Sequence, residues 1–500
     1  MGKSHRAVRN TRVPAMSADK NLLLIMSDEH SRKWLGAYGS RIAQTPNLDK
    51  LAARATLFSN AYCASPICVP ARAAFATGQH LHQIGYWDNA DAYDGRVRSW
   101  HHVLKAHGHS VASIGKLHFK SADCDSGFTE QILPMHVPQG LGDLMGLLRD
   151  EVIERSGASK MARMAGPGET DYTRYDQAIT QAAIDWLTRR RAQRGKPWAL
   201  FLSFVAPHFP LTAPQAFYDL YQPEALPLPK LYAQAQRPTH PHLRFYASNL
   251  NYDRYFETDV DVRRAIAGYL GLCSYLDHNI GRVLATLEEQ HLLDDTTVVY
   301  TSDHGDNLGA RGVWGKSTMY EEAVGVPLLI AQPGQSGQRC ETPVSHVDLF
   351  PFILQHFDVQ QTADDTGPSQ PVGIAPTSAQ ALDALAHRGV IAQYHATGSA
   401  SGIFMLRWQQ WKLIHHVDQA PELFDLRHDP EELNDLAGEP EHQALLHALH
   451  DKLRESCDPL QVDRQARQRQ RELVQQVGGR DAILARGDIG YSPAPVEAQP

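Results

Sequence analysis

Cys68 heads the run Ser65-Pro66-Ile67-Cys68-Val69-Pro70-Ala71-Arg72-Ala73-Ala74-Phe75-Ala76-Thr77-Gly78. Pro70 suits the first turn of a helix and Gly78 suits its stop, so the spacing predicts a helix that starts at Cys68. A residue there faces free backbone N–H groups and the positive end of the helix dipole, which favours an anion such as sulfate or phosphate. Arg72, one turn on, offers a planar fork of donors to the same anion. Two acidic clusters lie far apart in the chain, Ser27-Asp28-Glu29-His30 and Ser302-Asp303-His304-Gly305-Asp306-Asn307. Each follows a short apolar run, and two strand ends of this kind can converge on one hard cation. Three basic motifs, Gly115-Lys116-Leu117-His118-Phe119, Ala206-Pro207-His208-Phe209-Pro210 and Gly312-Val313-Trp314-Gly315-Lys316, each sit just past a strand or an acidic cluster.

The elements that must position these groups are legible as short β-type runs separated by helical stretches. Asn21–Met26, Ser110–Ile114, Trp198–Phe204, Thr297–Thr301 and Val326–Ala331 read as buried strands of a largely parallel sheet, with helices such as Tyr175–Arg190 and Val262–Glu289 on both faces. Chemistry in such sheets gathers where strands end, which is where the motifs fall. The fold class expected is therefore α/β, a large and mostly parallel sheet sandwiched by helices. Gly389–Tyr394, Ile403–Arg407 and Trp411–His416 read instead as antiparallel strands, followed by a helix over Glu439–Ser456, which makes a smaller C-terminal α+β subdomain. The expected division is an N-terminal extension over 1–19, a catalytic region over 20–365, the subdomain over 366–456 and a tail over 457–500, with a linker or surface loop near Gln360–Gln380.

A chain of 500 residues with 42% hydrophobic and 21% charged residues buries a sizeable core. A net charge of −8 with dispersed basic residues excludes a nucleic-acid footprint. No apolar run reaches the roughly 18 residues a membrane span needs, and the basic start leads into too short an apolar stretch for a secretory signal. Six scattered cysteines (63, 68, 124, 273, 340 and 457) do not suggest a disulfide framework, so a reducing cytoplasm is expected. The tail run Asp463-Arg464-Gln465-Ala466-Arg467-Gln468-Arg469-Gln470-Arg471-Glu472 is helical in propensity but lacks an apolar stripe. It is expected to bury little against its own chain and to pack on a neighbouring copy near the active-site mouth, giving a homo-oligomer.

The Cys68-x-Pro70-x-Arg72 segment resembles the signature of type I sulfatases, members of the alkaline phosphatase superfamily, in which the cysteine is oxidised to formylglycine. With the other motifs and the run Glu422–Leu436, the resemblance spans roughly residues 20 to 455. It implies an alkaline phosphatase-like fold, a sulfuric ester hydrolase activity and maturation by a formylglycine-generating enzyme. By the same resemblance Asp28, Asp303 and His304 bind a divalent metal with the oxygen of residue 68, and Glu29, standing where the family has a second Asp, is the weakest ligand of the set. Such mixed oxygen and imidazole donors suit calcium, with manganese or magnesium as alternatives. Lys116 and Lys316 would grip the anion, His118 would assist residue 68, and His208 would protonate the leaving oxygen.

Gly85-Tyr86-Trp87-Asp88-Asn89-Ala90 resembles the choline-sulfatase and phosphonate monoester hydrolase branch. Asn89 would then lie near the anion as a donor, and Trp87 and Tyr93 would line the pocket, where aromatic faces suit an aryl group or a quaternary ammonium. The substrate expected is a small anionic ester, an aryl or alkyl sulfate. A phosphonate monoester or phosphodiester handled by the same site is the alternative, and a non-catalytic binding protein on this scaffold is a third reading.

Overall fold

Leu22, Leu24 and Met26 turn to one face of a strand while Leu23 and Ile25 turn to the other, and all five are fully buried. That period of two with both faces apolar marks a strand sandwiched between layers. In the computed structural model, which describes residues 21–190, 196–361 and 371–495, it is the centre of an eight-stranded sheet. The strands are β1 (Asn21–Asp28), β2 (Thr56–Phe58), β3 (Ser110–Lys116), β4 (Glu130–Met135), β5 (Trp198–Pro207), β6 (Thr296–Ser302), β7 (Leu328–Ala331) and β8 (Gln338–Cys340), in the order β8-β2-β7-β6-β1-β5-β3-β4. From β4 to β6 all neighbours are parallel, whereas β7 opposes both of its partners. The expected mostly parallel sheet is thus present, with one reversed strand.

The helices are α1 (Cys68–Thr77), α2 (Trp100–Ala106), α3 (Asp171–Arg190), α4 (Pro241–Asn249), α5 (Asp259–Glu289), α6 (Leu349–His356), α7 (Gln443–Arg454), α8 (Pro459–Gln476) and α9 (Arg480–Arg486). One face of the sheet carries α3 and α5, whose Ile179, Trp186, Leu276 and Val283 meet Leu23, Ile25 and Leu200. Thr258 and Asp261 close a capping box that starts α5. The other face carries α1, α2 and α6 through Phe75, Trp100 and Phe350.

A second sheet is an antiparallel meander of β9 (Val390–Tyr394), β10 (Ile403–Trp408), β11 (Trp411–His416) and β12 (Glu422–Asp425). The segment at 422–425, the start of the run Glu422–Leu436, forms its edge strand. The N-terminal extension over 1–19 and most of the expected linker, residues 362–370, lie outside the described residues, and Ala379–Arg388 is helical. All six cysteines are unpaired. Among the described residues no helix is long and apolar enough to cross a membrane.

The tail corrects the sequence reading. Helix α8 packs on its own chain through Pro459, Val462, Asp463, Ala466 and Gln470, all buried. These positions do form one stripe at helical spacing, but two of its members are polar and so hide it from an apolar pattern. Asp463 accepts the Gly402 N–H at 2.7 Å, and the Gln470 amide donates to Asp88 at 2.7 Å and to the His395 carbonyl at 2.6 Å. Partners inside the fold offset the cost of burying them. Beyond it, Ile483 of α9 is buried against Leu144 and Leu147.

A buried ionic network fastens the two sheets together. Lys412 of β11 lies 2.9 Å from Glu321 and 2.7 Å from Glu432, while Arg32 also pairs with Glu321. Arg311 lies 3.2 Å from Glu322, which Lys230 approaches at 2.5 Å. Removing one member leaves carboxylates buried without a counter-charge, which costs about 3–5 kcal/mol. Lys412→Ala is therefore expected to lower the unfolding free energy by that order, and a denaturant midpoint equal to that of the unsubstituted chain would contradict the assignment.

Candidate active site

The parallel register explains how distant motifs meet. Asp28 is level with Pro207, Ser27 with Ser302, and Gly115 with Ser203, so β1, β3, β5 and β6 end on one edge of the sheet. At that edge Cys68 begins α1, whose ten residues are all buried. Gly78 ends it with φ of +65°, and a Cβ there would come within 2.5 Å of Phe350, so the stop requires glycine.

Cys68 Sγ lies 3.2 Å from His304 Nε2, 3.2 Å from Lys316 Nζ and 3.6 Å from Asp28 Oδ1. The candidate ligand atoms of Asp28, Cys68, Asp303 and His304 all lie within 4.8 Å of one another, and all four residues are buried. Glu29 stands apart from that cluster. Its Oε2 lies 3.2 Å from Lys316 Nζ and 3.4 Å from His208 Nε2, on the other side of Asp28. Burial raises the Glu29 carboxyl to about 8 despite Lys316, with Asp306 adding to the rise. With Asp28 and His208, Glu29 forms a second grouping of candidate ligand atoms that lie within 4.8 Å of one another.

Arg72 departs from the sequence reading. Its guanidinium donates to Asp303 Oδ2 at 2.8 Å, Asp28 Oδ2 at 3.1 Å, the Lys116 carbonyl at 2.8 Å and Ser203 Oγ at 2.9 Å. The fork that looked available to an anion is turned toward two carboxylates, and Arg72 does not line the pocket. Lys116 likewise lies behind it, fully buried, with Nζ 2.6 Å from Asp28 Oδ2, an ion-pair distance without hydrogen-bond alignment. Burial alone would raise the Asp28 carboxyl, but Lys116, His208, Arg72 and Lys316 outweigh it and hold the group well below the usual carboxylate range. The Cys68 thiol is pushed up to about 12 by burial and by Asp28.

The pocket in front of this cluster measures about 150 Å³ and is lined by Glu29, Cys68, Asn89, His118, His208 and Lys316 at its base. His208 Nε2 lies 2.8 Å from Lys316 Nζ, and its Nδ1 lies 2.7 Å from the Phe209 carbonyl. Burial, then the charge of Lys316, lower His208 well below its ordinary value. Both ring nitrogens of His118 are buried with no hydrogen-bond partner among the described residues, and so are available to a ligand. Asn89 accepts the Val69 N–H at 3.1 Å through Oδ1, which leaves its amide as the donor end. Trp87 and Tyr93 do not line the pocket. Trp87 packs edge-on against His395 at 5.1 Å and Tyr93 tilts against Phe119 at 4.7 Å, both inside the core.

Several contributors were not singled out from sequence. Asn307 donates to the Gly315 carbonyl at 2.6 Å and Asp306 accepts the Gly315 N–H at 3.2 Å, so the second acidic cluster also pins the Lys316 loop. Their place in the run after Asp303 was a signal. Tyr172, Phe209, Tyr246 and Tyr252 form the aromatic wall in place of Trp87, and only Phe209 adjoins a motif. Most unexpected is the tail, whose Asp488, Ile489, Gly490, Tyr491 and Ser492 complete the rim of their own chain's pocket. Tyr172 Oη donates to the Ser492 carbonyl at 2.5 Å, and the Tyr491 ring meets those of Tyr172 and Phe209 at 5.2 and 5.7 Å. Asp488 accepts the Gly157 N–H at 3.0 Å and lies 3.6 Å from Arg155.

An α/β sheet whose strand ends gather two carboxylates, an imidazole and a buried cysteine at a helix N-terminus defines a hydrolase of anionic esters. The family match is specific: the sulfatase family matches residues 20–359, and the family described as N-sulphoglucosamine sulphohydrolase, C-terminal, matches residues 309–458. This chain belongs to the sulfatase family, the sulfuric ester hydrolases. It is 30% identical over 442 residues to a choline-sulfatase of Rhizobium meliloti (strain 1021), covering 86% of this chain and 85% of that protein. With arylsulfatase K of Mus musculus it shares 30% over 455 residues, 87% of this chain and 78% of the relative. In fold it is similar to a phosphonate monoester hydrolase from Silicibacter pomeroyi, with a TM-score of 0.67 and 24% identity over 87% of this chain and 94% of that one.

The rim contacts carry a prediction independent of substrate. Tyr172→Phe deletes one hydrogen bond worth about 1 kcal/mol, so the tail should detach roughly fivefold more often. Limited proteolysis after α9 should quicken by that factor with the thermal midpoint nearly unchanged; an unaltered cleavage rate would show that the bond does not hold the tail.

Proposed function

We propose that this sulfatase hydrolyses a small aryl or alkyl sulfate through a formylglycine formed from Cys68 by a separate formylglycine-generating enzyme. The observation that carries the reading is the position of Cys68 Sγ, within 3.2 Å of both His304 and Lys316 at the N-terminus of α1 and at the floor of the pocket. A hydrated aldehyde at this position supplies two hydroxyls, one to attack and one to release the product, where a thiol supplies a single nucleophile. One hydroxyl attacks sulfur and the S–O bond to the leaving alcohol breaks, with sulfate transferred to residue 68. Deprotonation of the second hydroxyl then breaks the C–O bond to sulfate, and the aldehyde reforms.

The residues around Cys68 divide this work. Lys316 lies against both Cys68 and His208, where its ammonium can neutralise an oxygen of the transferred group. His208 and the Lys316 ammonium against it form the candidate proton source for the leaving alcohol, and unpartnered His118 is the candidate base for the second hydroxyl. Asn89 directs its amide at the anion. Arg72 and Lys116 act as positioning residues, since their contacts are with Asp28 and Asp303.

Asp28, Asp303 and His304 would hold the divalent cation, and their donor set of carboxylate oxygens with one imidazole fits calcium, with manganese and magnesium as the other candidates. When bound, such an ion offsets charge on the transferred group and favours deprotonated oxygen at residue 68. Asp303→Asn is expected to weaken metal affinity and to reduce kcat by about 100-fold or more. Turnover equal to the unsubstituted enzyme after exhaustive chelation would remove the cation from the reaction.

Mass spectrometry of the peptide containing residue 68 tests the nucleophile directly. The aldehyde lowers the mass by about 18 Da relative to cysteine, as CH2SH is exchanged for CHO. A fully active preparation with only thiol at 68 would overturn the reading. Matched nitrophenyl sulfate and nitrophenyl phosphonate esters then separate the sulfatase reading from the phosphonate monoester alternative: kcat/KM should be higher for the sulfate, and the reverse order would select the alternative.

A further inference from the structure

Away from the pocket, where α4 meets the C-terminal sheet, three imidazoles and a carboxylate come together. His240 caps the N-terminus of α4 and His242 follows in its first turn. His416 ends β11 and Glu422 begins β12. The rings of His240 and His416 lie 4.2 Å apart and those of His242 and His416 lie 5.3 Å apart. Candidate ligand atoms of His240, His416 and Glu422 fall within 4.8 Å of one another.

Hydrogen bonding leaves this cluster incomplete. His416 Nε2 lies 2.9 Å from Glu422 Oε1, and Glu422 Oε2 also accepts the Tyr320 hydroxyl at 2.6 Å. With Nε2–H donating to the carboxylate, the other nitrogen, Nδ1, carries a lone pair, and it is buried without a partner among the described residues. Nε2 of His242, in a side chain 5% exposed, is likewise buried and unpartnered. Two neighbouring imidazole nitrogens without partners call for a Lewis acid or a donor. Two imidazoles and one carboxylate, those of His240, His416 and Glu422, make a common three-ligand set for zinc. His240, partly exposed, gives access from solvent; its present bonds to the His242 N–H and the Ala420 carbonyl are ones water can replace.

We propose that His240, His416 and Glu422, with His242 packed beside them, form a second metal site for a borderline dication of the zinc, nickel or cobalt kind, separate from the carboxylate-rich cluster at Cys68. Imidazole donors select this class of ion over calcium or magnesium. The site would tie α4 to the subdomain sheet. One turn further along α4, Tyr246 donates to the carbonyls of Trp314 at 2.7 Å and Lys316 at 3.1 Å, so the helix fixed at one end by the metal holds the Lys316 loop at the other.

Zinc titration of the full chain carrying Asp303→Asn, which weakens the catalytic cluster, isolates the second site. One equivalent of zinc should bind and raise the melting temperature. Adding His240→Ala, at a partly exposed position the fold tolerates, should weaken that binding by at least the 10–100-fold that loss of an outer partner costs. His416→Gln, which keeps a buried polar side chain, should do the same. Failure of the Asp303→Asn chain to bind zinc, or equal affinity after both histidine substitutions, would overturn the site.

Discussion

Two carboxylates, Asp28 and Asp303, lie fully buried side by side at the ends of adjacent parallel strands, and the guanidinium of Arg72 bridges them. Two negative groups in a dry interior repel each other, and each resists desolvation. The arrangement persists because Arg72 and Lys116 both bring positive charge to Asp28, and Arg72 to Asp303 as well, while the sheet fixes the register. From this follows the rest of the site: α1 must start where it does to bring Arg72 inward, and with it Cys68 is set over the same carboxylates.

The same economy of buried charge recurs at the junction with the subdomain, where Lys412, Glu321, Glu432, Arg32, Arg311 and Glu322 interlock. Glu321 and Glu322 follow closely on the Lys316 loop, and Glu432 belongs to the run after β12. Ion pairs demand definite geometry, unlike an apolar contact that tolerates sliding. The junction therefore registers the meander against the lysine loop.

The parallel strands were legible in the sequence because burial on both faces leaves nearly continuous apolar runs, and the motifs because each sits where such a run stops. The two acidic clusters at Asp28 and Asp303 could be paired on that basis, and the resemblance to sulfatases added Cys68 and His304 to them. What escaped notice depended on partners far away in the chain. Arg72 looked open to an anion because its true acceptors lie on three different strands. Trp87 looked exposed to a ligand because nothing local reveals His395 against it. Helix α8 looked incapable of packing because Asp463 and Gln470 interrupt its apolar stripe, and only the folded chain supplies Gly402, Asp88 and His395 to satisfy them. The reversed strand β7 and the edge strand β12 were hidden for the same reason, since strand direction is decided by neighbours.

The rim formed by residues 488–492 also has a temporal meaning. A chain is synthesised from its N-terminus, so Cys68 and every strand of the large sheet leave the ribosome well before Tyr491 and Ser492. Until those arrive, Tyr172, Phe209 and Arg155 face open water, and the cleft is wider than in the finished protein. The pocket thus acquires its full rim only when translation has passed α9.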